Sequence, residues 1–301
     1  MFNEEIKARF VNEFSPDSLK AIYNSLFRRT EEYETKLNKD ICDFNFQECL
    51  GILVSLKPKS ITGVGVFKSQ LNRYADWAID NNLSQTKKNY WILVPLNDEY
   101  AKSSFKFQYV KDIDELKNIV DTGLSSKYDK YVIYLLYMGI MGKNCEELTL
   151  LREDDVRSIH EMIITKRRVY NSITPPLLEL IKTDQHFADY KRRDENSIYF
   201  VKPFATKKYI GHPINMHYIY RIFEKLNENY FEATKEKKAF TTVSIWRSGL
   251  FNSLYKLEQA KKNDLTTQDF AGMLEAYGSY VKDIGKIPRE YKLYKEVFWG
   301  E

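Results

Sequence analysis

Arg247 stands in Ser244-Ile245-Trp246-Arg247-Ser248-Gly249, at the head of an apolar helical stretch through Leu250, Phe251 and Leu254. A guanidinium presents paired N–H groups that match a phosphate or a carboxylate. Arg247 can therefore hold a phosphate, or it can join two helices through a carboxylate. Further cations occur in runs at Lys166-Arg167-Arg168, Arg192-Arg193, Lys207-Lys208, Lys237-Lys238 and Lys261-Lys262. Such runs are ordinarily solvated faces, so the chemistry they offer is anion binding wherever one of them is gathered on a surface. Near the N-terminus Arg28, Arg29, Lys68 and Arg73 fall off the apolar stripes of two helices and are phosphate-contact candidates. Gln70 and Asn72 beside them carry amides that can pair with adenine. The acidic pairs Glu146-Glu147 and Asp154-Asp155 have no histidine partner and read as turn and helix-start chemistry. The three cysteines, Cys42, Cys49 and Cys145, have no metal spacing and read as buried free thiols in a reducing compartment.

The elements that position these groups are mostly helical. The chain has 301 residues, enough for two domains, with 22 Tyr and 18 Phe but only 12 Gly and 8 Pro. The net charge of +4 is a weak global signal for an anionic partner. From Ser15 to Leu83 three helices are expected. The first starts at Ser15-Pro16-Asp17, the second follows Asn45, and Ser60 caps the third. Residues 84–111 lose the period and read as a partly extended linker. An acidic helix start follows at Asp112, and the stretch Tyr128–Met138 is apolar nearly all round, which places it centrally. The strand signals are Met162–Thr165, Arg168–Tyr170 and Ser172–Thr174, a small antiparallel sheet, with Ser197–Val201 as a further short strand. Helices are expected from Pro175, over Ile214–Asn229, Val243–Ala260 and Thr267–Tyr277, and from Pro288 to Phe298. The acidic start Met1–Glu5 has no apolar signal core, and no apolar run reaches a membrane span, so a cytoplasmic, nucleoid-associated protein without membrane or cofactor is expected.

This order of elements resembles the tyrosine recombinase (phage integrase) family over roughly residues 15–298. The fold implied is mainly α with a small antiparallel β-sheet. It comprises a helical core-binding (SAM-like) domain over residues 1–83, a linker over 84–111 and a catalytic-like domain over 112–301. The two domains of that family close on duplex DNA from opposite sides. Its enzymes carry Gly-x-Arg-x-x-Glu-Leu after the central helix; here Gly142-Lys143-Asn144-Cys145-Glu146-Glu147-Leu148 puts Asn144 in the arginine slot. The His-x-x-Arg box becomes Ser244-x-x-Arg247, and the Leu-Gly-His box is at best Ala271-Gly272-Met273. The lysine expected in a turn of the sheet is Lys166, beside Arg167 and Arg168, on the turn that meets DNA in the family. Tyr280, Tyr291 and Tyr294 lie where the nucleophile belongs.

The resemblance therefore implies a site without one of its two arginines and without either histidine. Each lost stabiliser of the phosphoryl transition state costs on the order of 10²–10³ in rate. Arg247, Lys166, Tyr291 and Tyr294 remain as vestigial candidates. Arg28, Arg29, Lys68, Arg73, Lys166, Arg167, Arg168, Lys207, Lys208 and Arg247 are the expected DNA contacts, with no metal. The expected function is a sequence-specific, non-cutting repressor on double-stranded DNA, able to join a second copy or a regulatory protein. Within the family it is similar to the integrase-like repressors that maintain lysogeny in SPβ-type temperate phages of Bacillus. The alternatives are an active or divergent site-specific recombinase and a helical scaffold with no DNA role. On the repressor reading, Arg247→Ala weakens DNA binding without unfolding the protein.

Overall fold

The structure is a computed structural model that describes residues 1–301 apart from 57–60, 96–98, 166–167, 184–192, 206–209 and 279–284. Among the described residues there are thirteen α-helices and one three-stranded antiparallel sheet. The chain divides into two compact units, Met1–Phe105 and Lys106–Glu301. No helix among the described residues is long and apolar enough to cross a membrane.

The first unit holds α1 (Glu4–Asn12), α2 (Asp17–Leu37), α3 (Phe46–Ser55) and α4 (Ile61–Asp80). Helix α2 begins right after Pro16 and ends at Asn38 in the left-handed conformation, a residue type that tolerates it. The core is aromatic: Phe10 meets Tyr23 at 5.0 Å and Tyr74 at 5.2 Å, both edge-on. Helix α1 is absent from the sequence reading because Lys7 sits in the middle of its buried face. Its ammonium is fully buried and reaches both oxygens of the equally buried Glu34 on α2, each at 2.6 Å. The proposed Ser60 cap lies outside the described residues.

The described residues of 84–111 combine extended positions at Asn89 and Val94 with a 3-10 turn and a helix. Ser84 donates to Asp43 at 2.7 Å, and a 3-10 turn over Tyr90–Leu93 sets Trp91 and Val94, each 1 % exposed, into the first core. Trp91 Nε1 donates to the Ile41 carbonyl at 3.2 Å. Helix α5 (Glu99–Gln108) follows. The alternation of Trp91-Ile92-Leu93-Val94 is that of a tight turn with its first and last residues inward, which a run of apolar residues cannot distinguish from a strand.

The second unit is built around α7 (Lys127–Tyr137), buried from Asp129 to Tyr137. Helix α6 (Ile113–Gly123) is capped by the Asp112 carboxylate, which accepts from Asp114 and Glu115 N–H. Helix α8 (Glu146–Thr149) leads to the sheet of β1 (Val156–Arg157), β2 (Met162–Ile164) and β3 (Val169–Tyr170). The register pairs Val156 with Ile163 and Ile163 with Tyr170. The third strand is thus Val156–Arg157, upstream of the expected Ser172–Thr174. Pro175 and Pro176 already open α9 (Pro175–Lys182), with Thr174 as its N-cap, so Ser172–Thr174 lead into a helix and pair with no strand among the described residues. Ser197–Val201 is not a strand either: Tyr199 makes a single bridge to Arg152. Helices α10 (Met216–Thr234), α11 (Thr242–Lys261), α12 (Thr267–Ala276) and α13 (Ile287–Phe298) complete the unit. Helix α11 crosses α7 at Gly249, where a Cβ would stand 1.7 Å from the Tyr137 carbonyl oxygen, so only glycine permits this approach.

Candidate functional site

Two guanidiniums organise the region where the motifs converge. The first is that of Arg247, one turn into α11. The helix is started by a reciprocal cap: Thr241 Oγ1 accepts from Ser244 N–H, and Ser244 Oγ accepts from Thr241 N–H at 2.8 Å. Ser244, in the histidine slot of the box, is therefore a helix-starting residue whose hydroxyl is already used. Trp246 is core, 1 % exposed, with its indole N–H on the Tyr277 carbonyl. Ser248 is fully buried and accepts from Val110 N–H at 3.1 Å. Arg247 Nη1 meets Glu290 Oε2 of α13 at 2.8 Å, with the side chains 20 % and 14 % exposed. The Tyr109 phenol faces the same guanidinium; burial pushes its pKa up, and Arg247 only partly offsets this. Arg247 thus joins two helices through a carboxylate.

The second guanidinium is that of Arg168, which the sequence pointed outward toward DNA. The structure turns it inward. Its Nε and Nη2 reach the two oxygens of Glu147 at 3.2 and 2.5 Å. Nη1 donates to the Glu275 and Ala276 carbonyls at the end of α12, and Nη2 also to the Gly139 carbonyl after α7. All five N–H donors of an arginine are then engaged within the protein. The guanidinium fills the space a Cβ on Gly278 would need, and Gly278 has φ +61°. Thr165 Oγ1 donates to Glu147 at 2.8 Å and the Tyr170 hydroxyl lies at 3.4 Å. Glu147 is 8 % exposed, so the acidic pair read as turn chemistry separates: Glu147 holds an arginine while Glu146 opens α8. Asn144, in the arginine slot of the other motif, is exposed and left-handed with φ 51°.

The tyrosines are equally committed. Tyr291 is 3 % exposed and donates to Glu258 Oε2 at 2.6 Å, while Lys295 holds the other oxygen at 2.9 Å. Burial, and then the hydrogen bond to Glu258, push its phenol far above the ordinary 10.0. Tyr294 is fully buried and donates to the Val110 carbonyl at 3.1 Å and to that of Lys111. Neither hydroxyl faces solvent. Tyr280, Lys166, Arg167, Lys207, Lys208 and Arg192 lie outside the described residues.

Arg193, from a run read as an ordinary solvated face, is 6 % exposed and sits over the Phe204 ring, with donors on Ser126, Asp129, Tyr218 and the Lys202 carbonyl. It anchors a buried network and is not a solvated charge, a role that its position between polar residues conceals. Of the expected contacts in the first unit, Arg29 donates to the Leu56 carbonyl and stacks on Phe67 at 4.7 Å. Arg73 stacks on Phe14 at 4.7 Å. Lys68 donates to the Ile92 and Val94 carbonyls. Asn72 donates to Asp76 and accepts from Asn89, so its amide is spent internally. Arg28 is exposed on α2.

One basic surface was missed as a unit. Lys106, Lys111, Lys235, Lys237 and Lys238, with Phe107, Phe298, Glu115 and Glu236, line a cleft of about 610 Å³ in the second unit. These lysines come from three places in the chain, so only the folded structure shows them together. Among the described residues no cluster of His, Cys, Asp and Glu could hold a metal ion.

Comparison with known proteins gives three results. Residues 1–80 match the family model described as MrpR, N-terminal core-binding domain. The chain is 29 % identical over 158 residues to the SPbeta prophage-derived uncharacterized protein YopR of Bacillus subtilis (strain 168). That match covers 52 % of this chain and 47 % of the relative, so it spans about half the length of the curated relative. Among solved structures, the Tn1549 transposon integrase in complex with circular intermediate DNA aligns with a TM-score of 0.38 at 16 % identity, covering 95 % of this chain and 93 % of that one. The same integrase with transposon right end DNA aligns with a TM-score of 0.36 at 14 % identity, covering 96 % and 99 %.

Proposed function

We propose that this chain, whose first 80 residues match an MrpR core-binding domain, is a sequence-specific DNA-binding repressor that holds duplex DNA without cutting it. Its setting is the control of phage lysogeny, in keeping with a prophage-derived relative. The observation that carries the non-cutting half is the closure of the recombinase-like site. Arg247 is paired with Glu290, and Ser244 is used as a helix cap. Tyr291 and Tyr294 are in the core with their hydroxyls engaged.

Physical chemistry supports the same direction. Strand cleavage by tyrosine needs an exposed hydroxyl that loses its proton and an electropositive cradle for the phosphate oxygens. Burial makes the phenolate of Tyr291 or Tyr294 costlier, and a carboxylate at 2.8 Å cancels the field of the one box arginine. DNA affinity then rests on lysines and arginines outside that site, through counterion release.

The test uses the full chain on two substrates. A nicked suicide DNA should yield no covalent protein–DNA adduct on a denaturing gel. Intact operator DNA from the parent prophage should be retarded in a native gel, with affinity falling steeply as salt rises. An adduct that disappears in Tyr280→Phe, Tyr291→Phe or Tyr294→Phe would replace the repressor by an active recombinase. No retardation at low salt would leave a scaffold without a DNA role.

A further inference from the structure

We infer that the lysine-lined cleft of the second unit is its phosphate-binding surface, and that the phosphates are those of the DNA backbone. The inference rests on the DNA-binding reading above and names the surface responsible. The cleft gathers Lys106 from α5, Lys111 from the turn before α6, and Lys235, Lys237 and Lys238 from the loop after α10. Five lysines face two glutamates, and the lysines are not equivalent.

Lys238 belongs to the floor. Its side chain is 9 % exposed, and its ammonium donates to the Lys106 carbonyl at 3.0 Å and to Glu115 at 3.3 Å. Glu115 is occupied a second time by the Lys111 backbone N–H at 2.6 Å. Glu236 accepts from the Tyr230 hydroxyl at 3.2 Å, which leads its carboxylate toward α10. Lys111 lies 4.0 Å from the centroid of the Trp299 ring. Lys106 and Lys237 are exposed and make no ion pair among the described residues. The acids of the cleft are therefore tied to its own framework, while cations at the rim keep their charge directed outward.

This is the arrangement a phosphodiester chain needs. A fixed floor holds the loop in place, and mobile ammonium groups above it exchange condensed counterions for phosphate contacts. The contrast with Arg168 and Arg247 is physical. Each of them is paired with a carboxylate, so it adds little field beyond the protein, whereas Lys106 and Lys237 have no carboxylate partner among the described residues.

The experiment compares the full-length protein with Lys106→Glu/Lys237→Glu in the native-gel assay on operator DNA from 50 to 200 mM salt, each with and without inorganic triphosphate. Both rim residues are exposed, and equal melting temperatures would show that the fold is retained. The expected result is a loss of affinity on the order of tenfold or more, with the salt slope shallower by about two. Glu115→Gln, which touches the floor only, should shift the affinity far less. Retardation of the parent protein with an unchanged double variant would overturn this inference and leave the DNA-binding reading in place. Absence of retardation by the parent protein would remove both. Triphosphate that raises the melting temperature of the parent but not of the double variant, with DNA affinity equal in the two, would assign the cleft to a free phosphate ligand instead.

Discussion

Arg247 and Glu290 face each other at 2.8 Å, each mostly withdrawn from water. An exposed pair of this kind is worth little, but a buried one is costly to break, because the partner left behind keeps its charge without compensation. Arg247→Ala is therefore expected to lower stability by about 2–3 kcal/mol, below the full 3–5 of a completely buried pair because both side chains retain some solvent. Arg247→Met with Glu290→Leu should recover most of that loss. Urea unfolding of the two variants and the parent decides it. The contact with α13 argues against the expectation drawn from the motif alone, weaker DNA binding with an intact fold. An Arg247→Ala protein as stable as the parent but poor in DNA binding would restore it. The sequence shows an arginine in the right box; it does not show the glutamate 43 residues further on that closes over it.

At the scale of elements, helices with several apolar residues on one face are legible in the sequence, and the short α1, whose buried face includes a lysine, is not. Helix α7 was read correctly as central because apolar residues surround it, and α6 because Asp112 is an evident cap. Helix α1 escapes because Lys7 faces the core beside Phe10 and Val11. The pair it forms with Glu34 is fully buried, Thr30 donates to Glu34 at 2.9 Å, and the Ile41 N–H donates at 3.2 Å. Burial nonetheless keeps the Glu34 carboxyl above its ordinary 4.5. Lys7→Met should remove the main force in the opposite direction and destabilise by about 3–5 kcal/mol at neutral pH. The sign of the pH effect follows from the raised pKa. A carboxyl that is more easily protonated in the folded state contributes stability below its unfolded value and loses it as pH rises through the folded one. The deficit of Lys7→Met relative to the parent should therefore be largest near pH 7 and narrow toward pH 5. Urea midpoints at the two pH values measure it, and a deficit independent of pH would mean that Glu34 is not carrying the charge.

For the whole molecule, the decisive feature is where the first core closes. The family match ends at residue 80, and the loss of helical period places a boundary at 83. Yet Trp91 and Val94, eleven and fourteen residues past the match, are 1 % exposed within that core. Asn89 holds the segment to α4 through Asp76 at 2.6 Å, and Lys68 of α4 donates to the Ile92 and Val94 carbonyls. A fragment of residues 1–83 would leave the Trp91 site as an open cavity and strip the Ile41 carbonyl of its indole partner. Losing a buried tryptophan costs about 3–5 kcal/mol, a large part of the stability of a domain this small. A fragment of residues 1–95 is accordingly expected to unfold cooperatively on heating, and residues 1–83 to melt well below it or not to fold. Trp91→Ala within 1–95 should reproduce most of the difference, since the ring fills the site and Val94 adds little volume. Circular dichroism melts of the three fragments give the answer. Equal melting temperatures for 1–83 and 1–95 would show that the first core closes without this segment.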